Sequence, residues 1–151
     1  MTIRPYHPAD LPEWMRMRRE LWPDLPSDES EQRADCENWL TRRNSIVLVA
    51  QRQESSRLCG FLEAGEREFA DGCDTSPVAY LEGWFVDTDV RGQGIGAQLV
   101  RAAEDWAIAH GYREFASDAL LENIASQKAH SSLGFVEVER AVRYAKRLRK
   151  A

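Results

Sequence analysis

Residues 80–100 read Tyr80-Leu81-Glu82-Gly83-Trp84-Phe85-Val86-Asp87-Thr88-Asp89-Val90-Arg91-Gly92-Gln93-Gly94-Ile95-Gly96-Ala97-Gln98-Leu99-Val100. An apolar strand-like run, a short polar turn, a glycine-rich loop and the start of a long amphipathic segment follow in that order. Glycines without side chains let backbone N–H groups approach a phosphate, and a helix N-terminus adds the positive end of its dipole. The order therefore suits a pyrophosphate cradle, and it also suits a tight connection that holds nothing. Gly-Lys-Ser/Thr does not occur, which excludes a nucleotide P-loop. Gly92-Gln93-Gly94-Ile95-Gly96-Ala97 satisfies the dinucleotide fingerprint, but that motif opens a first βαβ unit. Too few residues follow Ala97 to complete a doubly wound sheet.

Downstream of the loop, Gly94 to Ala109 is expected to be a helix. Ile95, Leu99, Ala102, Ala103 and Trp106 lie on one side of it, and His110-Gly111 ends it. Arg113 to Ser117 reads as a short strand, and Asn123 to Leu133 as a helix stopped by Gly134. Phe135 to Glu139 and Ala141 to Leu148 read as a last pair of strands. Upstream, Val78 to Val86 is strand-like and is preceded by a polar loop from Phe69 to Pro77. Ile46 to Ala50 and Leu58 to Glu63 are apolar runs of strand length. Thr2 to Tyr6 is a short opening strand. Asp10 caps a helix to about Leu21, with Pro12 and Glu13 in its first turn. Ser27 caps a second helix whose apolar stripe is Cys36, Trp39 and Leu40. Mixed order of this kind predicts an α+β (α/β layered) fold.

At 151 residues and 43% hydrophobic, the chain has the size of one domain, 1–151, with enough apolar surface for a core. Lys and Arg number 20 against 25 Asp and Glu, for a net charge of −5, which argues against nucleic acid as the main partner. The balance is uneven. Six bases and no acids lie between Arg140 and Ala151, so residues 1–139 carry −11. Residues 54–89 hold nine acids and two bases, a surface that would attract a cation or merely solubilise the chain. Cys36, Cys59 and Cys73 have no metal spacing, which suggests a reducing cytoplasm and no metal, with Cys59 a small core residue. The N-terminus lacks an apolar signal segment, and no apolar run approaches the ~18 residues of a membrane span.

Arg91-x-x-Gly94-x-Gly96 resembles the Arg/Gln-x-x-Gly-x-Gly/Ala signature of the GNAT superfamily of acetyl-CoA-dependent N-acetyltransferases. Asn123 and Gly134-Phe135 resemble its second motif. Further stretches are similar to the aminoglycoside 6′-N-acetyltransferases within it. They are Glu20-Leu21-Trp22-Pro23, Gly72-Cys73-Asp74-Thr75-Ser76-Pro77, Leu81-Glu82-Gly83, Ala116-Ser117-Asp118, Ser126-Gln127-Lys128-Ala129-His130 and Leu133-Gly134-Phe135. The resemblance implies the GNAT acyl-CoA N-acyltransferase fold, with a mixed sheet of six to seven strands flanked by about four helices.

It also implies a chemistry. The backbone of Trp84, Phe85 and Val86 would run along the pantetheine arm, with one N–H polarising the thioester. Arg91, Gly92, Gln93, Gly94, Ile95, Gly96 and Ala97 would hold the pyrophosphate, and Asn123 would touch the cofactor arm. Amide formation needs a neutral amine and a donor for the developing oxyanion. Glu82, an acid in an apolar strand, is the candidate base, its pKa raised by desolvation; the family equally uses this acid to hold the amine. His130 stands where many relatives carry a Tyr that acts as acid toward the departing thiolate, and its alternative role is packing at a helix end. A polycationic sugar would meet Trp22, Phe69, Glu82, Asp118 and Glu139. No Cys lies in either motif, so direct attack in a ternary complex is favoured over an acyl-enzyme. The expected partners are acetyl-CoA, a cationic aminoglycoside such as kanamycin or tobramycin, and a second copy of the chain. The competing readings are a GNAT enzyme acting on a polyamine, amino sugar or protein amine, and a non-catalytic acetyl-CoA-binding module.

Overall fold

The computed structural model of the chain describes residues 1–25 and 28–150, so Ser27, the expected cap of the second helix, lies outside the described residues. Strands are β1 (Thr2–Pro5), β2 (Ile46–Gln51), β3 (Leu58–Arg67), β4 (Val78–Val86) and β5 (Phe115–Ser117). Helices are α1 (Leu11–Leu21), α2 (Glu29–Thr41), α3 (Ile95–Ala109) and α4 (Ile124–Ser132). Two compact units divide the chain, Met1–Asp118 and Ala119–Ala151.

The first unit holds a five-stranded sheet in the order β1-β2-β3-β4-β5. The first three pairings are antiparallel, and β4 pairs β5 in parallel over Ala79–Leu81 and Phe115–Ser117. Val47, Val49, Phe61 and Phe85 form one core with Trp14, Met15 and Met17 of α1 and Cys36 of α2. Gly60 adjoins Phe61 and so faces the other way. A Cβ placed there would lie 3.3 Å from Leu99 Cδ1 of α3. β3 is therefore covered on both faces, which is why Leu58–Leu62 reads as a continuous apolar run rather than an alternating one.

Local details depart from expectation. Asp10 does precede α1, but its carboxylate does not cap that helix. It accepts from the His7 N–H at 2.8 Å and from both terminal nitrogens of Arg4 at 2.7 and 2.9 Å, closing the 3-10 turn Pro8–Asp10. Asp28 caps α2 by accepting from Ser30 N–H at 2.8 Å. In α2, Cys36 is buried as expected, whereas Leu40 is 45% exposed. β3 continues four residues past Glu63 because Ala64–Arg67 find ladder partners on β4.

The strand count is the main correction: five strands among the described residues, not six or seven. Residues 135–150 form no strand. Val136, Val138, Val142, Tyr144 and Leu148 are 60–91% exposed. Alternating apolar residues favour the extended form, but a strand exists only where a neighbouring edge supplies hydrogen bonds. In the second unit, Ala119–Ala151, α4 is the sole helix among the described residues.

Candidate active site

β4 leads into the glycine loop. The Asp87 N–H donates to Cys59 O at 2.7 Å, and a 3-10 turn, Thr88–Val90, follows. The Asp87 carboxylate is buried between two guanidinium groups, with Arg16 Nη1 at 3.0 Å and Arg52 Nη2 at 3.1 Å. α1 and the end of β2 thus fix where the loop begins. Arg91 Nε donates back to Val86 O at 2.8 Å. Its guanidinium lies 5.5 Å from the Phe85 ring centroid.

Gly92 and Gly94 have φ of +78° and +82°, left-handed conformations that a side chain would strain. A Cβ at either would meet nothing within 4 Å, so both backbones border open space. α3 begins at Ile95 with no side-chain cap and no acid in its first turn. Its first helical bond runs from Gln98 N–H to Gly94 O at 3.0 Å, so the preceding amides have no helical carbonyl to bind. Trp84 braces the turn, donating from Nε1 to Gly96 O at 3.2 Å. A Cβ at Gly96 would stand 3.1 Å from Trp84 Cζ2. Open backbone, a helix N-terminus and absent acids fit a pyrophosphate.

Glu82 sits where β4 is irregular. Glu63 pairs with Gly83 and Ala64 with Leu81, which leaves Glu82 as the extra residue of a β-bulge. Bulges of this kind re-aim a side chain. The parallel pairing with β5 also ends at Leu81, so from Glu82 onward β4 is laddered on one side only. The expected apolar setting for this carboxylate is not found. Arg67 grips it with Nε at 2.7 Å and Nη2 at 2.8 Å, and Arg42 Nη1 stands 3.8 Å away. The Arg67 guanidinium lies 3.5 Å from the centroid of the Tyr80 ring. Tyr80, buried, donates its hydroxyl to Asp118, which is exposed beyond β5. Burial and that acceptor push the Tyr80 phenol well above its ordinary range.

Trp22 lies beside this cluster. A Cβ at Gly83 would fall 2.6 Å from Trp22 Cη2, so the ring rests directly on the bare β4 backbone next to Glu82. Phe61 meets Trp22 edge-on at 6.3 Å between centroids. Arg18 packs against both Trp14 and Trp22, 5.6 and 4.8 Å from their centroids, and its charge is balanced by Glu63 in a close ion pair. Trp14 Nε1 donates to the same carboxylate at 2.9 Å. Burial drives the Glu63 carboxyl up, and Arg18 opposes that shift. Phe69 is 70% exposed. Glu82 and Trp84 thus lie on one stretch of β4, with Trp22 packed on Gly83 between them and Asp118 joined through Tyr80.

In the second unit, Asn123 caps α4, its Oδ1 accepting from Ser126 N–H at 3.1 Å. His130 Nδ1 lies 2.7 Å from Ser126 O. A carbonyl only accepts, so that nitrogen carries a proton. The ring also packs edge-on against Phe135 at 5.2 Å. Glu139 is exposed in the segment without strands.

Arg67, Arg42, Tyr80, Arg18 and Glu63 escaped the sequence reading. A detectable signal existed for one group: Trp14, Arg18 and Trp22 recur every fourth residue, the spacing of side chains that touch along a helix. Glu63, a charge closing an apolar run, called for the partner that Arg18 provides. Among the described residues, no three His, Cys, Asp or Glu side chains gather as a metal would require, and no helix is long and apolar enough to cross a membrane.

The profile of the acetyltransferase (GNAT) family matches residues 13–135. The chain belongs to that family. A curated relative from Klebsiella aerogenes, named aminoglycoside N(6′)-acetyltransferase type 1, is 42% identical over 90% of this chain and 90% of its own. A relative of the same name from Salmonella enteritidis is 39% identical over 97% and 99%. The apo crystal structure of an aminoglycoside antibiotic 6′-N-acetyltransferase from Acinetobacter haemolyticus matches with TM-score 0.88 at 36% identity, covering 98% of this chain and 99% of that one. A structure of a 6′-acetyltransferase with the bisubstrate analogue CoA-S-monomethyl-acetylneamine matches with TM-score 0.88 at 38% identity over 97% and 98%. The GNAT fold and acetyl-CoA-dependent acetyl transfer follow from this membership.

Proposed function

We propose that this protein transfers the acetyl group of acetyl-CoA to the 6′-amino group of an aminoglycoside, and that residues 1–151 act as one acetyltransferase domain. One observation carries the reading: the bulge that aims Glu82 lies on the same strand that enters the glycine loop, so amine and thioester can meet along β4. Near full-length likeness to relatives named for this activity supports it.

Acetyl-CoA supplies an activated thioester; the amine nitrogen forms the C–N bond as the C–S bond breaks. Beyond Leu81, β4 has lost its parallel neighbour, so backbone N–H groups among Trp84, Phe85 and Val86 are the candidate donors to the developing oxyanion. Gly92 to Ala97 hold the pyrophosphate with backbone amides, and Arg91 fixes the turn through Val86 O. Glu82 anchors the ammonium and accepts its proton directly or through water. Its two arginine neighbours favour the anchoring role. Trp22, packed on Gly83 next to Glu82, is the candidate aromatic contact for a sugar ring, and Asp118 a second acid. By resemblance, Phe69 in the first unit and Glu139 in the second are candidate contacts for the acceptor, and Asn123 in the second unit a candidate contact for the cofactor. To act as acid toward the thiolate, His130 must donate from a protonated ring.

The exposed apolar residues of 135–150 support a homodimer in which a partner supplies the missing edge. Sedimentation should then give twice 17.3 kDa; a concentration-independent monomer would count against it. A cytoplasmic location suits three free cysteines, of which Cys36 is driven by burial to a pKa of about 11. The activity itself is tested by thiol release from acetyl-CoA with kanamycin or tobramycin, compared with spermidine and a peptide amine. Release with the antibiotics and little with the others is expected. Tight CoA binding without release to any amine would instead mark a binding module.

A further inference from the structure

Arg67 is the last residue of β3, opposite Val78 on β4. Among the described residues its side chain makes two hydrogen bonds, and both go to Glu82, at 2.7 and 2.8 Å. Its guanidinium lies over the Tyr80 ring, 3.5 Å from the centroid, and the Tyr80 hydroxyl is held by Asp118. A cation paired with Glu82, resting on an aromatic face and close to Asp118, satisfies what an acceptor ammonium would require there. Arg42 is different. Its Nη2 donates to Glu66 O at 2.7 Å and its guanidinium packs 4.8 Å from the Trp39 centroid, so it is tied elsewhere and approaches Glu82 only at 3.8 Å. Arg18 is committed to Glu63.

We propose that Arg67 is a built-in competitor for the acceptor amine: its guanidinium fills the ammonium position at Glu82 and must swing aside for the acceptor to bind. This rests on the reading of Glu82 as the amine anchor. The Arg67 side chain is 43% exposed, so it has solvent to move into. An ion pair whose guanidinium is partly exposed can be exchanged, and losing it shifts a binding constant by about fivefold. Every acceptor pays this same factor, whatever its total charge, because each displaces the same single contact. A long-range field effect would instead grow with acceptor charge.

The test compares wild type with Arg67→Met and Arg67→Lys, using kanamycin and the single-amine sugar 6-amino-6-deoxyglucose. Affinity for CoA checks that each variant is folded. In Arg67→Met, KM for both acceptors should fall by about the same fivefold factor, with kcat and the KM for acetyl-CoA nearly unchanged. Arg67→Lys keeps the charge but loses the planar fork, and should lower both acceptor KM values by a smaller amount. A rise in acceptor KM in either variant would make Arg67 a brace that orients Glu82 and overturn the proposal. So would unchanged values in both, or a fall confined to the Met variant and larger for kanamycin, the signature of a field alone. If the wild type releases no thiol with kanamycin, the acetyl-transfer reading fails separately. Calorimetric titration of kanamycin into the same three proteins then still measures the competition at Glu82, and equal affinities would overturn it.

Discussion

Along β4, the glycine loop after Val86 and the carboxylate cluster around Glu82 lie within a dozen residues and are built from different groups. The loop uses backbone. Its geometry comes from two positive-φ glycines, an uncapped helix start and short local bonds such as Arg91 to Val86 O. The cluster uses side chains drawn from across the first unit: Arg42 after α2, Arg67 on β3, Tyr80 and Glu82 on β4, and Asp118 beyond β5. A backbone site takes its character from local conformation, and distant side chains only brace it. A side-chain site takes its charge from partners that lie far away in the chain.

The acids illustrate this. Nine of them in residues 54–89 suggest a free negative field. In the fold, Glu63 is matched by Arg18, Glu82 by Arg67, Asp87 by Arg16 and Arg52, and Asp89 by Arg52. The attraction of a polycation to this surface is therefore smaller than the count implies, and it resides in particular carboxylates.

The largest expected effect lies on the backbone side. Gly94→Val places a branched side chain at φ +82° and in the space the cradle needs. Losing two or three charge-assisted backbone contacts should weaken CoA by roughly a hundredfold, with the far-ultraviolet circular dichroism retained. Unchanged CoA affinity by calorimetry would relocate the cradle. Next comes Glu82→Gln. Removing the anchor and leaving Arg67 unmatched should lower kcat/KM for kanamycin by roughly a hundredfold, with CoA affinity within about twofold of wild type. Comparable losses on both substrates would erase the division between the two sides. The smallest effect is Asp118→Asn, which keeps an acceptor for Tyr80 but removes an exposed charge. KM for kanamycin should rise about threefold at low salt, and the difference should shrink as salt screens it over about 8 Å at physiological ionic strength. A KM that is flat with salt and unmoved by the substitution would take Asp118 out of the acceptor site.

Much of the fold is legible because it is set locally. Val78–Val86, Ile46 to Ala50 and the helix ending at Ala109 follow from apolar runs, periodicity and glycine stops, and they stand within a residue of expectation. The last strands fail for a physical reason. Val136, Val138, Val142, Tyr144 and Leu148 carry the pattern of strands, but a pattern supplies no hydrogen-bonding partner. Asp10 illustrates the same limit at a cap: the residue type fits a helix start, yet Arg4 and the His7 N–H bind its oxygens first.

What the sequence determined by itself was therefore the family, the order of elements up to α4, and the cofactor loop, since glycine at a left-handed position is a property of one residue and its neighbours. The tertiary structure alone decided that β3 runs on to Arg67, that a bulge turns Glu82 out of register, and that a guanidinium waits on that carboxylate. Register and ion pairing join residues distant along the chain, and only packing determines which of them meet.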